Sequence, residues 1–210
     1  MNVEWKQLKQ LVSKSTLAGL LISLGATAFL TADNKIVGAL LFSIGLTAVI
    51  LLEANLYTGK IGYVNSKAKL ISAVLILIQN LLVALVCGLI FYSTKNNICE
   101  NLWLNKLTKS WYEFLFDSIG CGICIYLSVE LYKKTGSIFV IVLGVLVFIL
   151  SGFEHCIANI FYLSASMSFD LKSILYILIA IIGNSIGSLL IRFLQLNFRF
   201  CEVKHENETE

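Results

Sequence analysis

The 210-residue sequence predicts an all-α integral membrane protein, with six transmembrane helices in two inverted three-helix halves and helices 2 and 5 broken. Three observations lead there. Hydrophobic residues make up 58% of the chain and charged residues 14%, with mean hydropathy +0.84; a soluble domain carries roughly a quarter charged residues. Charges divide the chain into six apolar runs, each about long enough to cross a bilayer as a helix. Two of these runs, in corresponding positions, turn abruptly polar and then resume. The runs lack the alternation of a barrel, which leaves helices to satisfy the backbone in lipid.

The first run, 15–32, is uncharged. It is too long for the apolar core of a signal peptide, and a matching set follows it, so it reads as an uncleaved anchor. The second, 36–52, runs into Glu53, Asn55, Thr58 and Gly59 before apolar residues return. The third, 70–94, is the longest. The fourth, 114–132, is interrupted only by Asp117 and Glu130 near its ends. Its Cys121 and Cys124 lie in an apolar helix with no second pair, and read as buried thiols rather than a zinc or redox site. The fifth, 135–153, runs into Gly152, Glu154, His155 and Asn159. The sixth, 173–191, carries Gly183 and Gly187 at a spacing that permits close helix packing. Its Asn184 is an amide in mid-span, costly unless bonded, and suited to cap a broken helix.

Together these form one transmembrane domain over 1–200. It divides near 99–103 into halves of about 1–100 and 101–200, followed by a disordered acidic cytoplasmic tail, 201–210. Of the 16 Lys and Arg residues, eleven fall on the side of the termini and five on the other. This excess places both termini in the cytoplasm of a multi-pass protein in the plasma (inner) membrane. The net charge of +3 is thereby accounted for as a topology signal and gives no reason to expect nucleic acid as a partner. One intramembrane histidine without clustered carboxylates argues against an enzyme, a metal centre or a cofactor.

The two breaks carry the chemistry. A helix interrupted in the membrane leaves unpaired N–H and C=O groups, which must be buried in protein or line a wet cavity. The N-terminus of a half-helix attracts anions, and an inverted repeat with discontinuous helices in matching places points to a transport site. With no proline in the chain, glycine (Gly59 and Gly152) and side-chain hydrogen bonds are expected to make both breaks. Lys60, just after the first break, is either a cation of the cytoplasmic vestibule or a topology signal.

The string "GFEHCIAN" (152–159), with "LYTG" (56–59), "FSIGL" (42–46) and "GNSIGS" (183–188), resembles the formate/nitrite transporter family over nearly the whole chain. The resemblance implies homopentamers in a lipid bilayer, each protomer an aquaporin-like pore for a small monovalent anion of the formate, nitrite or hydrosulfide type, often with a proton. It implies proton exchange at His155 opposite Thr58, constrictions at Phe42, Leu46, Leu56 and Phe148, and support of the broken helices by Asn159 and Asn184. Tyr57 stands in place of the usual phenylalanine and is grouped with the constriction. Asn55 replaces an acidic residue. Ser137, Gly144 and Gly122 stand where a basic residue, a proline and an asparagine are usual.

A bare anion crossing apolar rings meets a large desolvation cost. Histidine is the side chain best suited to give or polarise a proton near neutral pH. His155 is expected to be neutral in an empty pore and protonated more readily as an anion approaches, with Glu154 bracing a helix end rather than relaying protons. The alternatives are an aquaporin-like pore for a neutral solute and a degenerate, non-transporting scaffold.

Overall fold

A computed structural model describes the backbone of residues 3–94 and 98–208 and the side chains of residues 5–94 and 99–197. The described residues form nine α-helices: α1 Val3–Thr31, α2 Lys35–Leu51, α3 Tyr57–Lys60, α4 Lys67–Thr94, α5 Ile98–Leu107, α6 Trp111–Thr135, α7 Ile138–Leu150, α8 Cys156–Ser166 and α9 Leu171–Glu208. A single 3₁₀ turn, Ile61–Tyr63, follows α3. Four stretches are long and apolar enough to cross a membrane: Trp5–Thr31, Lys67–Thr94, Trp111–Thr135 and Leu171–Asn197. The expected second and fifth runs form α2 and α7, and each is followed by a short helix, α3 and α8. Near 99–103, where the halves were expected to join, the chain forms α5. Over 201–208, where the sequence predicts a disordered tail, α9 continues as helix; residues 209–210 lie outside the described residues.

Local chemistry sets the helix ends. Asn34 caps α2 by accepting from the Ile36 and Val37 amides at 2.8 and 3.2 Å. Ser110 and Glu113 form a capping box on α6, which satisfies two amides that the first turn leaves unpaired. Gly136, at φ +67°, ends α6 in the left-handed region, where glycine carries no Cβ penalty.

The two interruptions share one backbone design. In the second, the Gly152 amide donates to Ile149 and the Phe153 amide to Phe148, the paired bonds of a Schellman motif with its left-handed residue at Gly152, φ +74°. In the first, Glu53 donates to Ile50 and Ala54 to Val49. The left-handed residue there is Glu53 itself, φ +51°. The expectation that glycine makes both turns is therefore corrected: Gly59 lies inside α3. The last residue before each new half-helix is extended, Leu56 at φ −96°, ψ 128° and His155 at φ −98°, ψ 119°.

The helices pack around these breaks. α6 lies along α9, α1 along α2 and α4, α2 against α7, and α4 against α8. Small residues sit at the crossings: Ala18, Ala26, Ala39, Ala84 and Ala180 are fully buried. Large apolar side chains point outward all round, among them Leu24, Ile44, Ile90 and Ile182, as expected where the solvent is hydrocarbon.

Candidate pore centre

Each break delivers the N-terminus of a short helix to the middle of the molecule, where a polar side chain must receive its free amides. Asn184 of α9 accepts from the Cys156 amide at 2.9 Å and donates to the carbonyls of Ser118 and Glu154, both at 2.8 Å. Asn80 of α4 does the same for α3. It accepts from the Tyr57 amide at 2.9 Å and donates to Ser15 and Asn55 carbonyls at 2.7 and 3.0 Å. The backbone agrees again: the Asn55 amide donates to Lys14, and the Glu154 amide to Asp117. Asn80 was missed in the sequence, although an amide in the middle of the longest apolar run carried the same signal as Asn184.

His155 is the N-cap of α8. Its Nδ1 accepts from the Ala158 amide at 3.2 Å, and its Nε2 lies 3.1 Å from Thr58 Oγ1. An amide hydrogen pointing at Nδ1 requires a lone pair there, so a neutral ring carries its proton on Nε2 and donates it to Thr58. The Thr58 hydroxyl hydrogen has no acceptor among the described residues. Ser188 of α9 donates to the carbonyls of Gly122 (3.1 Å) and Thr58 (3.4 Å), tying α3 to α6 and α9. Thr58 and His155 are both buried and join α3 to the start of α8.

A cavity opens on each side of this pair. One, of about 290 Å³, is lined by Phe42, Phe148, Gly152, Glu154, His155 and Asn159, together with Lys35, Lys106 and Lys109. Two of its aromatic rings, Phe42 and Phe148, pack edge-on with ring centroids 5.6 Å apart; Phe148 lies 6.2 Å from the His155 ring. The other, of about 450 Å³, is lined by Leu46, Leu56, Gly59, Lys60, Tyr63 and Lys133, with Lys14 and Glu53.

Three candidate residues sit elsewhere. Tyr57 lines neither cavity; its hydroxyl bonds Ser185 of α9 at 2.7 Å. Asn55 is half-buried and acts through its backbone. Asn184 stands behind α8 rather than in a cavity.

Glu154 is buried on the wall of the first cavity. It accepts from Lys106 and from Lys109 (2.8 Å), and from Asn159 at 3.0 Å. Lys109 also donates to Asp117 at 2.7 Å and to the Gly152 carbonyl at 3.0 Å, so all three of its donors are in use. Burial opposes the Lys109 charge, but Glu154 and Asp117 more than offset it and hold its pKa above the ordinary lysine value. Asn159 Oδ1, in the same cavity, is buried without a partner among the described residues. Lys106 and Lys109 were counted in the sequence only as topology charges; nothing local in it marks them as partners of a residue some 45 positions away.

Residues 3–196 match the profile of a family described as formate/nitrite transporter. Among curated proteins the chain is similar to the formate channel FocA of Haemophilus influenzae, 25% identical over 149 residues, which cover 61% of this chain and 52% of that protein. The chain thus spans about half the length of that relative. Among solved structures it is similar to an FNT family ion channel, with TM-score 0.75 and 20% identity over 90% of this chain and 88% of that one. It is also similar to a pentameric formate channel with formate bound, with TM-score 0.73 and 18% identity over 97% and 99% of the two chains. These likenesses establish the fold.

Proposed function

Because the chain belongs to the formate/nitrite transporter family, we propose that it passes a small monovalent anion, or its conjugate weak acid, across the membrane with proton exchange at His155. The observation that carries this reading is the contact between His155 Nε2 and Thr58 Oγ1, 3.1 Å, between two cavities and at two half-helix N-termini. Donors line up there toward one point. The Ala158 amide bonds Nδ1, the Nε2 proton bonds Thr58, and the Thr58 hydroxyl hydrogen is free to meet an anion. The helix ends add partial positive charge without a bare cation. The arriving anion favours the charged ring. His155 takes up a proton delivered through cavity water at Nδ1, giving up the Ala158 bond, and passes its Nε2 proton through the Thr58 hydroxyl to the anion. His155 is then neutral again, and the anion crosses the apolar neck as the neutral acid and releases the proton on the far side. Protonation removes most of the cost of taking a charge past Phe42 and Phe148 or Leu46 and Leu56.

In this reading α1, α2 with α3, α4, α6, α7 with α8, and α9 are six spans in two inverted halves. Both termini face the cytoplasm, following the Lys and Arg excess, in the plasma (inner) membrane. Five copies assemble, and formate, nitrite and hydrosulfide are the first substrates to test. The pentameric formate channel and the curated formate channel among its relatives support this choice.

The test is a flux panel of formate, nitrite and hydrosulfide in proteoliposomes at two pH values. The expected result is pH-dependent flux that His155→Ala and Thr58→Ala both alter. Flux unchanged in both variants overturns the role of the pair. Absence of flux for all three substrates overturns transport.

A further inference from the structure

The short helices on the two sides of the Thr58–His155 contact differ in how they are held. α8 has eleven residues and is capped by its own His155, whose Nδ1 accepts from the Ala158 amide. α3 has four residues, and the side chain of its N-cap, Leu56, makes no capping bond. A single turn of helix closes too few bonds of its own to fix its orientation. The placing of Thr58 therefore depends on the neighbouring helices.

Hydrogen bonds reach α3 from α4 and α9. Asn80 accepts from the Tyr57 amide at 2.9 Å; this bond pins the first residue and leaves rotation about it open. Ser188 reaches the Thr58 carbonyl at 3.4 Å, the longer of the two bonds it divides between Thr58 and Gly122. The Tyr57 hydroxyl meets Ser185 Oγ at 2.7 Å. The direction of this last bond is fixed. Ser185 donates its one hydroxyl hydrogen to the Ile181 carbonyl at 2.6 Å, so the Tyr57 hydroxyl is the donor. The buried phenol ring is a rigid arm from the backbone of α3 to α9. Ser185 follows Asn184, which holds the start of α8. Adjacent residues of α9 thus hold the two sides of the Thr58–His155 contact.

We propose that Tyr57 is a positioning residue: by donating to Ser185, its hydroxyl fixes the rotation of α3 and so holds Thr58 Oγ1 at His155 Nε2. This rests on the proton exchange proposed at His155. Thr58 is the next residue in the chain, and a turn of α3 about the Asn80 bond would carry its hydroxyl away from the ring. Removing the Tyr57 hydroxyl disturbs little else. In Tyr57→Phe the ring still fills its place, and Ser185 keeps its bond to Ile181. α3 is then free to sample other rotations. Proton transfer depends steeply on the placing of donor and acceptor, so the step slows, while Tyr57 lines neither cavity and the anion binds as before.

The test reads the ring first and flux second. The chain has two histidines, His155 and His205, so full-length protein carrying isotope-labelled histidine in nanodiscs reports the ring directly by nitrogen NMR. Tyr57→Phe and Ser185→Ala are each expected to move the His155 Nε2 signal in the direction that Thr58→Val moves it, with the His205 signals unmoved. Added to Thr58→Val, Tyr57→Phe should move it no further. In proteoliposomes supplied with formate or nitrite, both single variants should lower kcat about three- to tenfold and change KM by less than about twofold. A His155 signal unmoved in Tyr57→Phe overturns the positioning role, and so does a shift that adds in full to that of Thr58→Val. A signal that moves as expected in protein without flux upholds the role of Tyr57 while rejecting transport.

Discussion

Asn80 and Asn184 hold α3 and α8 in the same way, each accepting from the first amide of its helix at 2.9 Å and donating to one carbonyl just before that helix, Asn55 or Glu154, and to one on a neighbouring helix, Ser15 or Ser118. Replacing either by alanine leaves a buried amide and two carbonyls without partners. Asn80→Ala and Asn184→Ala are each expected to cost about 2–4 kcal/mol, seen as a lower unfolding temperature of the detergent-solubilised protein. Equal losses would show that the unmarked Asn80 matters as much as its counterpart in the family string.

The two left-handed residues give a matched pair of substitutions. Glu53 carries a side chain at φ +51° and Gly152 does not, at φ +74°. A Cβ at Gly152 would meet nothing within 4 Å, so Gly152→Ala isolates backbone strain and should destabilise by about 1–2 kcal/mol. Glu53→Gly relieves that strain and loses only an exposed pair with Lys14 at 3.5 Å, worth little. It should therefore leave stability unchanged or raise it by up to about 1 kcal/mol. Chemical denaturation of the two variants side by side would read the difference.

Removing one cation from Glu154 leaves a buried carboxylate under-compensated. Lys109→Met is expected to cost about 2 kcal/mol, with Lys106 still in place, and Lys109→Met with Glu154→Gln should cost less than the sum of the single changes. The sign with pH follows from the raised Lys109 pKa. A base whose pKa rises on folding adds stability below its unfolded value and loses it as pH climbs through the folded one. The stability contribution should therefore stay flat from about pH 6 to 8 and fall away only in alkali, as thermal unfolding across that range would record.

The family resemblance leads one to expect asparagine at Gly122, but the packing leaves no room for a larger side chain there. A Cβ there would lie 2.2 Å from the Asn184 carbonyl oxygen, backbone that α9 cannot shift without disturbing its cap on α8. Gly122→Ala should cost about 1–3 kcal/mol and Gly122→Asn more. Gly59→Ala, whose Cβ would meet only Val129 at an ordinary 3.5 Å, should be tolerated. Yield and monodispersity after solubilisation would separate the two.

What the sequence made legible depended on whether a residue's cost could be seen locally. A charge or amide inside an apolar run is conspicuous, which is how Glu154, His155 and Asn184 were found. Asn80 met the same criterion and was overlooked. Lys106 and Lys109 could not be found this way: they lie in a loop and on α5, where lysine is unremarkable, and their partner Glu154 is distant in the chain. The interruptions after the second and fifth runs were expected from the polar residues that end those runs; the Schellman bonds that turn the chain there were not, because they are made by backbone that any sequence carries. Glycine was a fair guide at position 152, but at position 53 the turn forms around a glutamate at the cost of strain. Tyr57 shows the remaining limit: a helix-start residue can face the pore or the neighbouring helix, and here the Ser185 hydroxyl decides it.

Leu56 and His155, with nearly the same backbone angles at the same point of their respective breaks, have a consequence for how such a pore can diversify. The chain contains two sockets of one shape and has fitted a titratable ring into one of them. Under the proton exchange proposed at His155, which face of the membrane the proton meets first is set by the choice of side chain, not by the path of the chain. In that reading, exchanging the two side chains would move the protonation step from α8 to α3 while the architecture stays as it is.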